Sequence, residues 1–352
     1  MSKYSVKFPR MTMDNTGLGP NPIVGGKGGM QGGSGGAPIA FTASSGADEL
    51  VNGQSVTLDT GTLQSGFRTP YFIDEIRMQV ITEPTTVNGA AAVWNGIGGC
   101  IRAKFQTGNR AFSKNAVPIG LYGPIFSQQD FGSQAAGIDV DDQAAIRGYS
   151  YVRWPLPKPL WMAPGDVIQA MFEYVGLSPA EGFPAVTVNA TYTGRAIAPG
   201  TPAPRTRQIP WATFMAFQNN EGQKQSTEEF RNPFTYPMVV QRLTSRTYFA
   251  QATGIQEELA RGQTKGVLNA SNQYVVCSLD DSLGYSIVKR LAPIGMVYDT
   301  SRHAWTFSRS LGAREQFNLT MRTDDVNGVA PVPVAGWHSF TGMIGYRDEA
   351  RE

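Results

Sequence analysis

The chain has 352 residues, of which 41% are hydrophobic, so it is long and apolar enough to build two domains with real cores. Charged residues make up only 16% and the formal net charge is +2, which argues against a dedicated nucleic-acid binder with a concentrated basic face. Two cysteines and two histidines exclude a disulfide framework and leave few ligands for zinc chemistry.

The first residues, from Met1 to Lys7, lack the apolar segment of a secretory signal, and no window approaches about 18 apolar residues. We therefore expect neither a cleaved leader nor a membrane-spanning helix. Cys100 and Cys277 are expected to be reduced and partly buried, which fits assembly inside a cell.

Residues 1–36 are predicted to form an N-terminal arm. The run from Gly25 to Gly36 is mostly glycine, which is flexible and costs much entropy to order. One interpretation is a disordered tail, and the other is an arm of variable path that becomes ordered against neighbouring molecules. The alternation of Tyr4, Val6 and Phe8 favours the second, because a plain tail needs no strand-like tip.

After the arm, the chain is predicted to be β-structured. Ile101, Ala103 and Phe105 alternate with polar neighbours, as in a strand with one buried and one solvated face. The prolines of Val152–Leu160 indicate an extended run confined to an edge or a bend. In the first half, strands are predicted over residues 38–42, 55–58, 70–82, 100–105, 152–160, 167–174 and 186–196.

Two stretches of the first half are candidates for contacts between subunits. The irregular excursion Thr107–Tyr149 is too long for a plain connector. The Trp154–Trp161 stretch has apolar bulk, and an exposed tryptophan there would be an interface anchor, since Trp and Tyr concentrate at such patches.

The second half follows a linker at residues 200–206, in a proline-rich run that is expected to be stiff. Gly254–Gly262 is the best candidate for a helix, and it is short. Roughly fourteen to eighteen strands with turn signals between them indicate sandwiches or barrels rather than a parallel α/β sheet. Strands of the second half are predicted from Ile209 and over residues 238–249, 273–278, 285–290, 305–307, 316–322 and 337–347.

The two halves repeat each other. The period, roughly 150–160 residues, is too long for a solenoid and matches a common domain size, so we predict a duplicated domain. The order of the corresponding segments is the same in both halves, and this shared order supports the prediction. The pairs are Phe67–Tyr71 with Phe230–Phe234, Met162–Asp166 with Leu311–Glu315, and Val186–Ala196 with Trp337–Arg347.

The chemically active residues form no recognisable catalytic or metal-binding motif. His303 and His338 stand alone and are interpreted as structural. We therefore predict no catalytic, cofactor-binding or metal-binding residue, no cofactor and no enzymatic activity. Solvated loop charge is the interpretation for three acidic clusters that lack calcium-loop spacing, Asp139/Asp141/Asp142, Asp280/Asp281 and Asp324/Asp325.

Two similar all-β halves, a stiff linker and a flexible Gly-rich N-terminal arm predict two consecutive eight-stranded jelly rolls, a double jelly roll. The chain resembles the double jelly-roll major capsid proteins of tailless icosahedral viruses, a lineage that includes tectiviruses, corticoviruses, adenoviruses and lipid-containing bacteriophages. The resemblance covers about residues 37–350. It rests on this architecture, on the Phe-Arg-x-Pro openings at Phe67 and Phe230, and on the Pro-Gly-Asp turn before Val167.

The resemblance implies a domain division and a function. The expected domains are the arm at residues 1–36, jelly roll 1 at 37–199, the linker at 200–206, and jelly roll 2 with a short C-terminal tail at 207–352. The implied function is that of a structural protein of the virion, made in the host cytoplasm, whose homotrimers form pseudo-hexagonal capsomers of an icosahedral shell. The implied partners are further copies of the chain, neighbouring capsomers, penton or minor capsid proteins, and an internal membrane approached by the arm. Specific binding of nucleic acid is not expected.

Two alternatives remain open. A carbohydrate-binding or fibre-like β-sandwich protein, viral or secreted, would need a groove lined by exposed aromatic and acidic residues. A cupin-type enzyme would need two or three histidines inside the barrel as metal ligands, whereas this chain has two histidines, both in its second half.

Overall fold

A computed structural model of the chain describes residues 37–45, 49–59, 69–85, 98–123, 125–131, 146–176, 185–219, 225–232, 234–251, 254–258, 275–281, 286–293, 305–323 and 337–350. The chain divides into two units, Met1–Ser34 and Gly35–Glu352, and every described residue belongs to the second. The predicted arm at residues 1–36 therefore lies outside the described residues. Within the described ranges, no helix is long and apolar enough to cross a membrane.

The described residues are mostly strands, with a short 3-10 helix at Ile119–Leu121. The strands of the first half are β1 (Pro38–Ser44), β2 (Ser55–Asp59), β3 (Tyr71–Thr85), β4 (Ile101–Thr107), β5 (Arg110–Ala111), β6 (Val117–Pro118), β7 (Ile125–Phe131), β8 (Ile146–Met162), β9 (Ile168–Tyr174) and β10 (Val186–Ala196). The strands of the second half are β11 (Thr206–Asn219), β12 (Gln225–Arg231), β13 (Met238–Gln251), β14 (Gly254–Glu258), β15 (Val275–Asp281), β16 (Ser286–Pro293), β17 (Trp305–Leu311), β18 (Gln316–Thr323) and β19 (Trp337–Ala350).

The first half folds into two antiparallel sheets. Sheet 1 has the order β1-β10-β3-β8-β7, and sheet 2 has the order β2-β9-β4-β5, with β6 also paired to β4. The first strand pairs with the last, β2 with β9, β3 with β8, and β4 with β5. This nested pairing arises when one long hairpin is folded over into two sheets, and it defines a jelly roll.

The second half repeats the nested pairing, although the halves differ in their additional strands: β6 and β7 in the first, β14 in the second. Sheet 3 has the order β11-β19-β13-β14, with β17 also paired to β13, and sheet 4 has the order β12-β18-β15-β16. Here β11 pairs with β19, β12 with β18, β13 with β17, and β15 with β16. The predicted fold class, an all-β double jelly roll, is confirmed.

Alternating side chains and a cluster of aromatic rings form the core of the first roll. Every second residue of β4, β9 and the first part of β10 is buried. Trp154 of sheet 1 is fully buried, and its ring centroid lies 5.6 Å from that of Phe105 in sheet 2 and 4.3 Å from that of Tyr122. Tyr122 donates a hydrogen bond to the carbonyl oxygen of Ala103 at 2.9 Å, and burial raises the pKa of its hydroxyl.

The turn before β9 and the turn before β18 have the same construction. In Ala163–Asp166, the amide of Asp166 donates to the Ala163 carbonyl, and the Asp166 carboxylate accepts from the Ala163 amide at 2.9 Å. In Gly312–Glu315, Glu315 makes the same two contacts with Gly312, at 3.2 and 2.7 Å. The third residue of each turn has positive φ, 85° at Gly165 and 67° at Arg314. This segment of the predicted repeat is therefore a structural repeat.

The last strand of each roll carries a glycine at the same bulge. Gly194 of β10 pairs with Ile73, next to a register shift, and Gly345 of β19 pairs with Val240, again next to a shift. A Cβ at either glycine would lie within 2.0 Å of a carbonyl oxygen, 1.8 Å from that of Phe72 and 1.9 Å from that of Val239. Only glycine allows the neighbouring backbone to approach this closely.

Two local predictions have opposite outcomes. The edge or bend in the proline run of β8 is confirmed, because β7 pairs only with Ile146–Val152 and the register skips from Leu160 to Pro155. The predicted helix at Gly254–Gly262 is wrong, since Gly254–Glu258 is β14 and pairs with the end of β13. A helix of so few residues is marginal in isolation, whereas the hairpin with β13 supplies hydrogen bonds along the strand.

Candidate assembly surfaces

The two rolls are joined by a continuous buried core. Ile209, Ala212, Phe340 and Ile344 of sheet 3 belong to the same cluster of buried apolar residues as the core of the first roll. On β19, Thr341 and Met343 are buried as well, so both faces of this part of the strand are covered. One contact of this kind is expected to hold the rolls in a fixed orientation, because apolar burial is the dominant favourable term in association.

Backbone groups of the first roll bind directly to sheet 3. The Ala212 amide donates to the Phe112 carbonyl oxygen at 2.8 Å. The guanidinium of Arg242 donates to the Tyr122 carbonyl oxygen, and Arg347 Nη1 donates to that of Ala111 at 3.0 Å. The segment after β4 therefore lies along the edge strand β11 and against side chains of sheet 3. This segment begins the predicted subunit contact Thr107–Tyr149, and in the described residues it contacts the second roll of its own chain.

A charged cluster closes one side of the junction. Glu349 Oε2 accepts from Arg110 Nε at 2.7 Å, and Glu349 Oε1 accepts from Arg347 Nε at 2.5 Å. Arg347 is 2% exposed, and its guanidinium carbon lies 4.1 Å above the centroid of the Phe234 ring. Burial raises the pKa of Glu349, but the hydrogen bonds and positive charges of the two arginines outweigh it and lower the pKa overall. Burial lowers the pKa of Arg347.

A second arginine is sandwiched between the rolls. The Arg102 guanidinium carbon lies 5.6 Å from the centroid of the Phe214 ring and 5.8 Å from that of Phe340. Arg102 extends from β4 of the first roll, and both rings belong to the second. Burial lowers its pKa, although the charge of Glu173 acts in the opposite direction. The faces of the two aromatic rings attract the positive charge of Arg102, so this charge is stabilised although it lies against an apolar sheet.

The Trp154–Trp161 stretch is not an exposed anchor. Trp154 is 0% exposed and Trp161 is 7% exposed, so neither tryptophan meets the condition of exposure that an interface anchor requires. The Trp161 carbonyl oxygen accepts two hydrogen bonds from Arg207 at 3.2 Å, and Lys158 Nζ lies 5.7 Å from the centroid of the Tyr346 ring. This stretch therefore contacts the second roll, because the proline bulge turns its apolar residues inward. A cleft of about 420 Å³ lies at this junction, lined by Pro155, Pro157, Gln241, Arg242, Thr306 and Ile344.

The outer face of sheet 1 is polar and partly exposed. The Thr42 and Thr191 hydroxyl oxygens lie 2.8 Å apart, and Asn189 Nδ2 donates to Gln79 Oε1 at 3.1 Å. On the same face, the Glu75 carboxylate pairs with both Arg77 and Arg153. Burial raises the pKa of Glu75, but the hydrogen bonds and charges of the two arginines outweigh it and lower the pKa overall.

The acidic clusters have different positions in the structure. Asp280 and Asp281 lie in β15, so they are not loop charges. Asp281 is 5% exposed and pairs with Arg309, and Asp280 accepts from Ser286 Oγ at 2.5 Å. The loop interpretation is wrong here because a hydroxyl on the neighbouring strand β16 and an arginine on β17 of sheet 3 stabilise the acids inside the fold. The clusters at residues 139–142 and 324–325 lie outside the described residues.

The remaining candidate residues form no common site. His338 is in β19, Cys277 is in β15 and Cys100 is a buried thiol, whereas residue 303 lies outside the described residues. Within the described ranges, no group of three or more His, Cys, Asp or Glu side chains could hold a metal ion.

The residues that join the rolls, among them Arg102 and Arg347, form no pattern that is recognisable in the sequence. One signal could have found the covered face. In the first half Val186–Ala196 alternates apolar residues with threonine or asparagine, whereas its counterpart contains Phe340, Met343 and Ile344 with few polar residues between them. A strand that is apolar on both faces is expected to be covered on both faces.

No protein-family model and no curated protein matches this chain. Solved structures do match. VP54 of PBCV-1, in a structure fitted into a reconstruction of the virophage Sputnik, is 11% identical, with 91% of this chain and 95% of that chain covered and a TM-score of 0.47. The STIV MCP is 12% identical, with 88% and 96% covered and a TM-score of 0.45.

The Faustovirus major capsid protein is a further match, 7% identical, with 91% of each chain covered and a TM-score of 0.39. These neighbours are double jelly-roll major capsid proteins of icosahedral viruses. With identities near one tenth and TM-scores below 0.5, the likeness alone assigns no function to this chain.

Proposed function

We propose that the chain is a structural major capsid protein of an icosahedral virion. The observation that carries the proposal is the same nested strand pairing in two rolls joined over one continuous buried core. Such a chain is a rigid block with two similar halves, which suits a shell subunit that must present nearly equivalent surfaces in several places. We propose the domain division already expected, with the arm at 1–36, the rolls at 37–199 and 207–352, and the linker at 200–206.

The proposed assembly unit is a homotrimer. A closed three-fold arrangement of two-roll subunits gives six similar corners, which is the geometry of a pseudo-hexagonal capsomer. Neighbouring capsomers and penton or minor capsid proteins are the proposed further partners, and the arm is proposed to approach an internal membrane. The proposed location is the capsid shell, after synthesis in the host cytoplasm.

The proposal includes no catalytic role. The acidic residues described most closely have structural partners, since Asp166, Asp281 and Glu349 each pair with an arginine. We expect no hydrolase, transferase or redox turnover from the purified protein. A reproducible turnover abolished by a single side-chain change would contradict this part of the proposal.

Sedimentation and electron microscopy of the purified full-length chain test the proposal. We expect a species three times the 38.1 kDa chain mass, and regular particles under assembly conditions. A monomer at micromolar concentration in both low and high salt would remove the capsomer function. It would favour the carbohydrate-binding or fibre-like alternative instead.

A further inference from the structure

The glycine bulges allow the outer faces of sheets 1 and 3 to be aligned residue by residue. When Gly194 is matched with Gly345, the preceding residues Thr193 and Ile344 correspond, and so do their partners Glu75 and Arg242 on the third strands. On the first and last strands the same alignment matches Ala40 with Ala212, Thr42 with Phe214, Asn189 with Phe340, and Thr191 with Gly342.

The face of sheet 3 at these positions is apolar and covered by the first roll. Phe214 and Phe340 contact Arg102, and Gly342 faces Leu121, since a Cβ there would lie 3.0 Å from Leu121 Cδ1. The covering elements are β4, the segment from β5 to the 3-10 helix, and the proline part of β8. This contact is heterologous, because the outer face of one roll meets a different surface of the other.

The face of sheet 1 at the corresponding positions is polar, and none of the described contacts covers it with another part of the chain. Thr42 is exposed, and Asn189, Thr191 and Thr193 are half-buried. Arg77 and Arg153 have side chains 45% and 47% exposed above Glu75. The two faces thus have the same backbone geometry and opposite chemistry.

We propose that the outer face of sheet 1 binds the second roll of another copy of this chain, through a polar version of the contact that joins the two rolls within the chain. The inference rests on the proposed trimer. A heterologous contact closes a ring when its rotation divides a full turn evenly, as it does in a trimer, so in the proposed trimer this face of roll 1 is the surface offered to the next subunit.

One face is buried within the chain, and the other is proposed to bind a second subunit. The chemistry of each face fits its role. The contact within the chain forms once, during folding, and an apolar face suits it. The face between subunits meets water before assembly, and a threonine and asparagine surface keeps the unassembled chain soluble while it still offers hydrogen bonds.

Two matched threonine pairs provide the test. Thr42 and Thr191 pair across sheet 1 at 2.8 Å, and Thr227 and Thr320 pair across sheet 4 at 3.0 Å, each with one exposed and one half-buried member. The control pair is on β12 and β18, the counterparts of β2 and β9, which are not among the covering elements named above. Thr42→Arg, Thr191→Arg, Thr227→Arg and Thr320→Arg are compared with the unaltered full-length chain by sedimentation equilibrium and circular dichroism.

We expect Thr42→Arg and Thr191→Arg to raise the concentration at which the trimer dissociates by at least about tenfold, because each buries a charge without a partner. The sheet 4 variants are expected to stay within about twofold of the unaltered chain. If Thr191→Arg fails to fold, Thr42→Arg on the exposed edge strand still gives the answer.

Three results would overturn the proposal, and they are distinguishable from one another. If the unaltered chain assembles and all four variants assemble equally well, the docking face is wrong and the proposed function stands. Equal weakening by the sheet 1 and sheet 4 variants would also exclude a contact specific to sheet 1. If the unaltered chain is a monomer at every concentration, the proposed trimer and the docking face fail together.

Discussion

Gly342 of the second roll lies directly against Leu121 of the first, so close that a Cβ at position 342 would be 3.0 Å from Leu121 Cδ1. It would also lie 3.1 Å from the Thr213 carbonyl oxygen of the neighbouring strand. The rolls can approach to this distance because one residue lacks a side chain, which makes the packing of the junction sensitive to a single methyl group.

Gly342→Val is expected to destabilise the chain by about 1–3 kcal/mol, because the added atoms overpack the junction. Urea unfolding measures the change. Ala216→Val, at an exposed position of β11, is the control and is expected to have an effect of less than about 0.5 kcal/mol. A smaller residue at position 121 should relieve part of the strain, so Gly342→Val combined with Leu121→Ala is expected to be less destabilised than the sum of the two changes. Strict additivity would mean that the two residues do not press on each other.

The stability of the junction is expected to depend on acid through Glu349. Its pKa in the folded chain is lowered, so its contribution is present above the ordinary carboxyl pKa and is lost as the pH falls through the lowered value. Glu349→Gln should reduce the free energy of unfolding at neutral pH and flatten its decline in acid. Urea unfolding across the acid range checks this, with Glu229→Gln at an exposed position of β12 as the control. An unchanged pH profile in Glu349→Gln would contradict the assignment.

The turns at Ala163–Asp166 and Gly312–Glu315 predict that removing a glycine from one and introducing a glycine into the other change stability in opposite directions. Gly165 and Arg314 occupy the same turn position with positive φ, where a side chain costs about 1–2 kcal/mol. Gly165→Ala is expected to lower the free energy of unfolding by about 1 kcal/mol, and Arg314→Gly to raise it by up to about 1 kcal/mol. Thermal and urea unfolding of the two variants measure both effects. Destabilisation by Arg314→Gly would show that the Arg314 side chain contributes more than its strained backbone costs.

Deletion of residues 1–36 is expected to separate folding from shell formation. The described strands begin at Pro38, so the truncated chain should remain soluble and folded and should still form the proposed trimer. Regular shells should not form, because the glycine-rich arm is proposed to adopt a different path at each contact between capsomers. Circular dichroism, sedimentation and electron microscopy make the comparison. Normal particles from the truncated chain would show that the arm has no part in assembly.

Sequence patterns predicted the individual strands and the duplication, because both depend on local order. The alternation around Ile101 and Phe105 is a direct consequence of one face being buried, and the turns at Asp166 and Glu315 have the same hydrogen bonds in both rolls. The sequence-based predictions were wrong or incomplete where contacts between distant parts of the chain determine the local structure. Nothing local in Gly254–Glu258 indicates that β13 is available as a partner, and the burial of Trp161 depends on Arg207 from the other roll.

The candidate surfaces were harder to predict than the fold. Phe340 and Ile344 are compatible with an ordinary core strand, and only the aligned sheets reveal that their first-half counterparts are Asn189 and Thr193. That comparison needs the pairing register across three strands. The glycine bulges at Gly194 and Gly345 fix this register in the structure, whereas the spacing of residues in the sequence does not.

The pairing of first and last strands also decides where foreign peptides could be attached. Pro38 lies opposite Arg195, and Thr206 lies opposite Ala350, so the described part of each roll starts and finishes at the same end of its paired strands. Residues 197–205 connect these two strand ends, and nine extended residues span at most about 30 Å. A tag fused after Ala350 would therefore emerge near the interdomain connection, because Ala350 lies opposite the first residue of β11.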